Sequence, residues 1–148
     1  MAQASPIAIN IDPNRGPDAP PILITRILPA SHSLEVSRGT SEMVRQMVGD
    51  DVQVAYTGGN KDGHLGSDVG LIMDAIKSVY SDKGVVILVD LGGSELNSEM
   101  AIEMLSDEQA EKIRICNAPL VEGAVMAATE ASNGSSLEKV CETAEGYL

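Results

Sequence analysis

The chain reads as an α/β protein built on a doubly wound, mainly parallel four-stranded sheet, order 2-1-3-4, flanked by helices. From Ile22 onward, short aliphatic or β-branched runs alternate with segments of helical spacing. Strands separated by helices run parallel, because the crossover returns the chain to the same end of the sheet. The run Val85-Val86-Ile87-Leu88-Val89 is apolar on both faces, which belongs in the middle of such a sheet.

The predicted strands are Ile22 to Leu28, Val52 to Tyr56, Gly84 to Leu91 and Ile113 to Cys116. Met43, Val44, Met47 and Val48 share one face of the first helix, and Val69, Ile72, Ile76 and Val79 one face of the second. Leu96, Met100 and Met104 give the third helix its apolar stripe. Pro119 suits the first position of a fourth helix carrying Leu120, Ala124 and Ala128, and Asn133-Gly134 stops it. Ser135 with Glu138 forms a capping-box pattern before a last helix with Leu137, Val140, Cys141 and Ala144.

Residues 1–21 differ in character. Pro6, Pro13, Pro17, Pro20 and Pro21 fix φ and remove backbone donors, which excludes a helix or a central strand. This stretch is expected to be a poorly ordered tail in which only Ile7 to Ile11 suits a short edge strand. Residues 22–148 form the one domain.

Hydrophobic residues make up 43% of the chain, with no Trp, no Phe and three Tyr. The core is therefore aliphatic, and the aromatic platforms that bind single-stranded nucleic acid are missing. Ten Lys and Arg against 22 Asp and Glu leave a net charge of −12, which repels nucleic acid and anionic membrane. The longest apolar run is far short of a membrane span, and the N-terminus lacks a secretory pattern, so a cytoplasmic location is expected. Two cysteines, Cys116 and Cys141, are too few for a disulfide scaffold and read as buried thiols.

In a doubly wound sheet the crevice opens where the winding direction reverses, between the loops after the first and third strands. One loop is Pro29-Ala30-Ser31-His32-Ser33 and the other Asp90-Leu91-Gly92-Gly93-Ser94-Glu95-Leu96-Asn97. A histidine thus faces a glycine pair and a serine at a helix N-terminus, where free amides favour anions. With no carboxylate–serine triad in view, that pairing suggests phosphoryl chemistry, since imidazole is a good nucleophile near neutral pH. Plainer readings exist for each piece. A loop histidine is commonly solvated, Gly-Gly-Ser is a frequent strand-to-helix turn, and Ser94 is a natural N-cap. The glycine-rich loop Thr57 to Ser67 holds His64, Lys61 and Asp62, and Ser67 opens the next helix with a second set of amides. No Cys/His spacing for a metal and no Walker loop occurs.

From about Ile22 to Leu148 the chain resembles the mannose-type EIIA domains of the bacterial sugar phosphotransferase system. The nearest type is DhaM, the phosphotransferase subunit of PEP-dependent dihydroxyacetone kinase. The resemblance rests on Ser31-His32-Ser33, Gly58-Gly59, Asp62-Gly63, Leu65-Gly66-Ser67, Val86 to Gly92, Asn97 with Glu99, and Asn117 to Ala124. It implies that His32 is phosphorylated by the phosphocarrier HPr and passes phosphate to ADP on the kinase's nucleotide-binding subunit. It also implies Asp90 and Ser94 beside the histidine, either Asp90 or Asp62 orienting the ring, and a homodimer. Ser33, Gly66, Ser67, Gly92 and Gly93 would hold the phosphoryl oxygens. The chain would need no cofactor of its own, because ADP, ATP and Mg belong to the partner kinase subunit. Many proteins of this type carry fused HPr and enzyme I domains, so a chain ending after its first domain is expected to use separate donors. Two other functions fit the same fold: a sugar-specific EIIA feeding a transporter component, and a phosphorylation-dependent regulatory module.

Overall fold

Val85–Val89 is a strand with almost no access to water, since Val85 to Leu88 are all fully buried. In the computed structural model, which describes residues 8–9 and 24–146, it is one of five strands. These are β1 (Ala8–Ile9), β2 (Arg26–Ser31), β3 (Ala55–Gly58), β4 (Val85–Val89) and β5 (Ile113–Cys116). The helices are α1 (Leu34–Val48), α2 (Val69–Val79), α3 (Gly92–Glu103), α4 (Asp107–Ala110), α5 (Leu120–Ser132) and α6 (Leu137–Glu145).

The sheet order is β1-β3-β2-β4-β5. Its four long strands are parallel and follow the predicted 2-1-3-4 arrangement. To them β1 adds a two-residue antiparallel edge, with Ala8 opposite Tyr56 and Ile9 opposite Ala55. Apart from Ala8–Ile9, the expected tail at 1–21 lies outside the described residues.

Side chains alternate between two cores, as the pleat requires. Ile27, Val86 and Leu88 face α1, α5 and α6, whereas Leu28, Ala30, Val85 and Ile87 face α2 and α3. The β2–β4 register runs from Arg26 opposite Val85 to Ala30 opposite Val89. Both strands therefore end together, and the loops carrying His32 and Asp90 leave from adjacent positions at the winding reversal.

Several boundaries differ from the sequence expectation. The first long strand continues through Pro29 to Ser31 instead of stopping at Leu28. Proline is accommodated because the β2–β3 ladder is interrupted there, between the Ile27–Val54 bridge and the Ala30–Thr57 pair. The stripe Leu96, Met100, Met104 on α3 is exposed, and the helix turns Ser94, Ser98 and Ala101 inward. On α1 the buried residues are Ser37, Thr40, Ser41 and Val44, which leaves Met43 and Met47 exposed. Pro119 is the N-cap of α5. Ser136, not Ser135, caps α6 by accepting from the Lys139 N–H, while Ser135 donates to Glu130.

Candidate functional site

His32 is the first residue beyond β2, and α1 starts two residues later. The chain turns this sharply because Ser33 caps α1, its hydroxyl accepting from the Val36 N–H at 3.3 Å. Gly58 closes the turn from the other side. A Cβ there would lie 2.6 Å from the Ser33 carbonyl oxygen and 2.8 Å from Leu34 Cα, so only glycine lets β3 approach so closely. The Gly66 N–H donates to the His32 carbonyl at 2.9 Å and ties down the glycine-rich loop.

Asp90 is the first residue beyond β4 and organises the site. Its Oδ2 accepts from the Ser31 hydroxyl at 2.6 Å, and its Oδ1 accepts from the Leu91 N–H at 2.8 Å. The His32 N–H donates to the same carboxylate at 3.2–3.3 Å. Burial raises the carboxyl pKa, but hydrogen bonds from Ser31, His32 and the Leu91 N–H outweigh it and hold Asp90 down at about 2. Asp90 is therefore an anion and can only accept.

The imidazole follows from that charge. His32 Nδ1 lies 3.1 Å from Asp90 Oδ1 and 2.7 Å from Ser94 Oγ, and Ser94 Oγ lies 3.2 Å from Asp90 Oδ1. An acceptor-only carboxylate calls for a proton on Nδ1, with the Ser94 hydroxyl also turned toward Asp90. The free lone pair of the neutral ring is then on Nε2. That nitrogen faces Gly93, where a Cβ would sit 3.0 Å away. Nε2 thus lies against the first turn of α3. Among the described residues nothing accepts from the Gly92 and Gly93 amides, which leaves two donors at a helix N-terminus for an anion.

Ser94 is not the predicted N-cap. The cap is Leu91, without a side-chain bond, and Ser94 is the third helical residue, fully buried under the imidazole. Ser67 precedes the α2 cap, which is Asp68. Its hydroxyl donates to the Gly93 carbonyl at 3.3 Å and accepts from Asn97 Nδ2. The structure therefore brings together His32, Asp90, Ser94, Gly92, Gly93 and Ser67. Ser33 is engaged in capping and Gly66 in holding His32. Asp62 and His64 are exposed in the β3–α2 loop, where Asn60 accepts from their amides. Ser31 and Asn97, which the resemblance included without assigning them a role, have positioning roles: Ser31 donates to Asp90 and Asn97 to Ser67.

One imidazole nitrogen is thus fixed and the other opens on the first turn of α3, a geometry in which a ring nitrogen can attack and helix amides can receive an anion. A family model described as the PTS system fructose IIA component, EIIA-man, matches residues 26–141. The chain is 38% identical over 116 residues to the phosphoryl donor subunit DhaM of PEP-dependent dihydroxyacetone kinase 2 from Listeria innocua serovar 6a. That match covers 78% of this chain and 93% of the relative. It is 38% identical over 113 residues to the Escherichia coli K12 DhaM, covering 74% of this chain and 24% of that protein, so it corresponds to about a quarter of the longer relative. Lactococcus lactis DhaM, a phosphotransferase subunit of PTS-dependent dihydroxyacetone kinase, is 30% identical over 122 residues and 94% covered. A crystal structure of a protein of unknown function superposes with TM-score 0.73 at 36% identity, over 84% of this chain and 99% of that one. The dihydroxyacetone kinase from C. freundii shares the fold at 15% identity, with TM-score 0.64 over 99% of this chain and 28% of that one. With the family model spanning β2 to α6 and these relatives at 30–38% identity, the chain belongs to the EIIA-man family.

Proposed function

We propose that this chain is a cytoplasmic phosphohistidine carrier, the phosphoryl donor subunit of a dihydroxyacetone kinase of the DhaM type. The observation that carries the reading is the state of His32: Nδ1 is held by Asp90 and Ser94, and Nε2 opens against Gly93 at the α3 N-terminus. The relatives named as DhaM subunits supply the substrate class.

In this reading Nε2 attacks the phosphorus of phospho-HPr. A new N–P bond forms as the donor's N–P bond breaks. Asp90 stabilises the charge that the ring acquires, because its carboxylate already faces the Nδ1 proton. The Gly92 and Gly93 amides receive the phosphoryl oxygens. In the second transfer a terminal oxygen of ADP, held on the kinase's nucleotide-binding subunit, attacks the same phosphorus, and His32 leaves. Little covalent chemistry is required beyond positioning and charge stabilisation.

Both partners are proteins, and the surroundings of His32 suit that. Leu65, Leu91 and Leu96, next in sequence to Gly66, Asp90 and Asn97, are 77%, 60% and 57% exposed, apolar side chains left open to water. A second copy of this chain completes the reading. The exposed groove of about 300 Å³ between α1 and α5, lined by Met43, Met47, Val121, Glu122, Val125 and Met126, offers a mostly apolar surface for that copy.

The test is reconstitution with PEP, enzyme I and HPr, with and without the ADP-loaded kinase subunit. Phosphate should accumulate on the chain without the kinase subunit and drain into ATP with it. Phosphorylation that drains only into a membrane permease component would replace this reading with a sugar-specific EIIA.

A further inference from the structure

Two thiols that the phosphoryl chemistry does not use face each other where the sheet meets its last helix. Cys116 ends β5 and is 1% exposed, while Cys141 lies on the second turn of α6 and is half-buried. Their sulfur atoms are 3.0 Å apart, about 1 Å more than a disulfide bond of about 2.05 Å. The seam around them is already fixed. Leu137, Val140 and Ala144 anchor α6 in the core, and Glu145 Oε2 accepts from the Asn117 N–H at 2.9 Å. The chain has no other cysteine, so exchange has a single intramolecular product.

We propose that Cys116 and Cys141 are a redox modification site, forming a reversible disulfide that staples α6 to the end of β5. The oxidant class is a small disulfide such as oxidised glutathione. Cys141, the half-exposed thiol, loses its proton and attacks one glutathione sulfur, expelling the other as a thiolate. Cys116 then loses its proton and attacks the Cys141 sulfur, expelling the second glutathione. Two thiols become one disulfide, and the two electrons and two protons leave as two reduced glutathiones. Burial pushes both thiols up, Cys116 the further, which makes Cys116 the second nucleophile and makes the exchange faster as pH rises. The staple lies beside the phosphoryl site. Cys116, Asn117 and Ala118 form one wall of a cavity of about 150 Å³, and Asp90, Leu91, Gly92 and Glu95 lie across it.

The experiment equilibrates the reduced full chain with oxidised glutathione at pH 8, quenches with iodoacetamide, and reads intact mass and a peptide map. The expected product is two hydrogens lighter than the reduced chain, joins Cys116 to Cys141, carries neither glutathione nor alkyl groups, and reverts with dithiothreitol. Its thermal midpoint should rise by about 5–10 °C. Cys116→Ser should stop at the glutathione mixed disulfide of Cys141. Two alkylatable thiols at equilibrium, a persistent glutathione adduct on the unmutated chain, a disulfide-linked dimer, or an unmodified Cys116→Ser protein would each overturn the proposal.

Discussion

Gly93 lies so close to His32 that a Cβ on it would stand 3.0 Å from Nε2 and 3.4 Å from Cε1. The Gly-Gly pair therefore divides its work, since a Cβ at Gly92 would meet nothing within 4 Å. Gly93→Ala should slow phosphoryl acceptance from HPr about 100-fold, by displacing the ring or occupying the space the phosphorus needs. Stability should stay within about 1 kcal/mol of the parent, because the helical preference of alanine offsets the strain at the ring. Gly92→Ala should keep near-parental rates. Equal effects of the two substitutions in a rapid-quench assay would remove the steric argument.

Asp90 links the geometry around His32 to acid stability. Its carboxyl is held at about 2 against an ordinary 3.8, so its contribution to folding is complete above about pH 4. That contribution is lost as pH falls toward 2. Asp90→Asn should flatten this part of the acid limb in a thermal-unfolding series. It should also slow phosphorylation by at least about 100-fold at neutral pH, since an amide can donate to Nδ1 and select the wrong tautomer. A variant with the parental acid limb would show that the carboxylate is not held as described.

Ser94 gives a sharper separation than its expected capping role allowed. A capping serine would tolerate aspartate and even gain from the helix dipole. The buried Ser94 sits 3.2 Å from Asp90 Oδ1, so Ser94→Asp places two carboxylates together and should lower the thermal midpoint. Ser94→Ala loses a hydrogen bond and should cost about 1 kcal/mol. Differential scanning calorimetry of the two variants distinguishes the burial from a cap.

The exposed leucines Leu91 and Leu96 concern recognition alone. Leu91→Ala combined with Leu96→Ala should leave unfolding within about 0.5 kcal/mol of the parent, because both side chains are exposed. Transfer from phospho-HPr should slow about tenfold. Phosphorylation by the small donor phosphoramidate should be unchanged, and a parallel loss with both donors would mean that the leucines shape the site itself.

The sheet order was legible because β4 is apolar on both faces and helices separate every long strand. Which face α3 buries was not. Leu96, Met100 and Met104 repeat at helical spacing, but so do Ser94, Ser98 and Ala101, and only the small stripe lets the helix settle close to the sheet. The same holds on α1, where the buried Ser37 hydroxyl accepts from the Ser31 N–H at 2.9 Å. Periodicity weighs apolar residues and passes over buried serines such as Ser37 and Ser94, whose hydroxyls find partners. His32, Asp90 and Gly93 were legible from their places after β2 and β4. That Asp90 and Ser94 stand beside the ring came from the family resemblance alone; the hydrogen bonds they make with Nδ1 depend on where α3 begins, and that start lies two residues before the serine that looked like its cap.

In the proposed function, His32 carries the phosphoryl group on Nε2. The most direct measurement is a long-range ¹H–¹⁵N imidazole spectrum of the chain labelled in histidine and phosphorylated through PEP, enzyme I and HPr. Phosphorylation there should give a phosphorus-coupled nitrogen at the Nε2 position of His32, a protonated Nδ1, and an unchanged His64. A phosphorylated Nδ1, or a phosphorylated His64 with His32 unmodified, would contradict it.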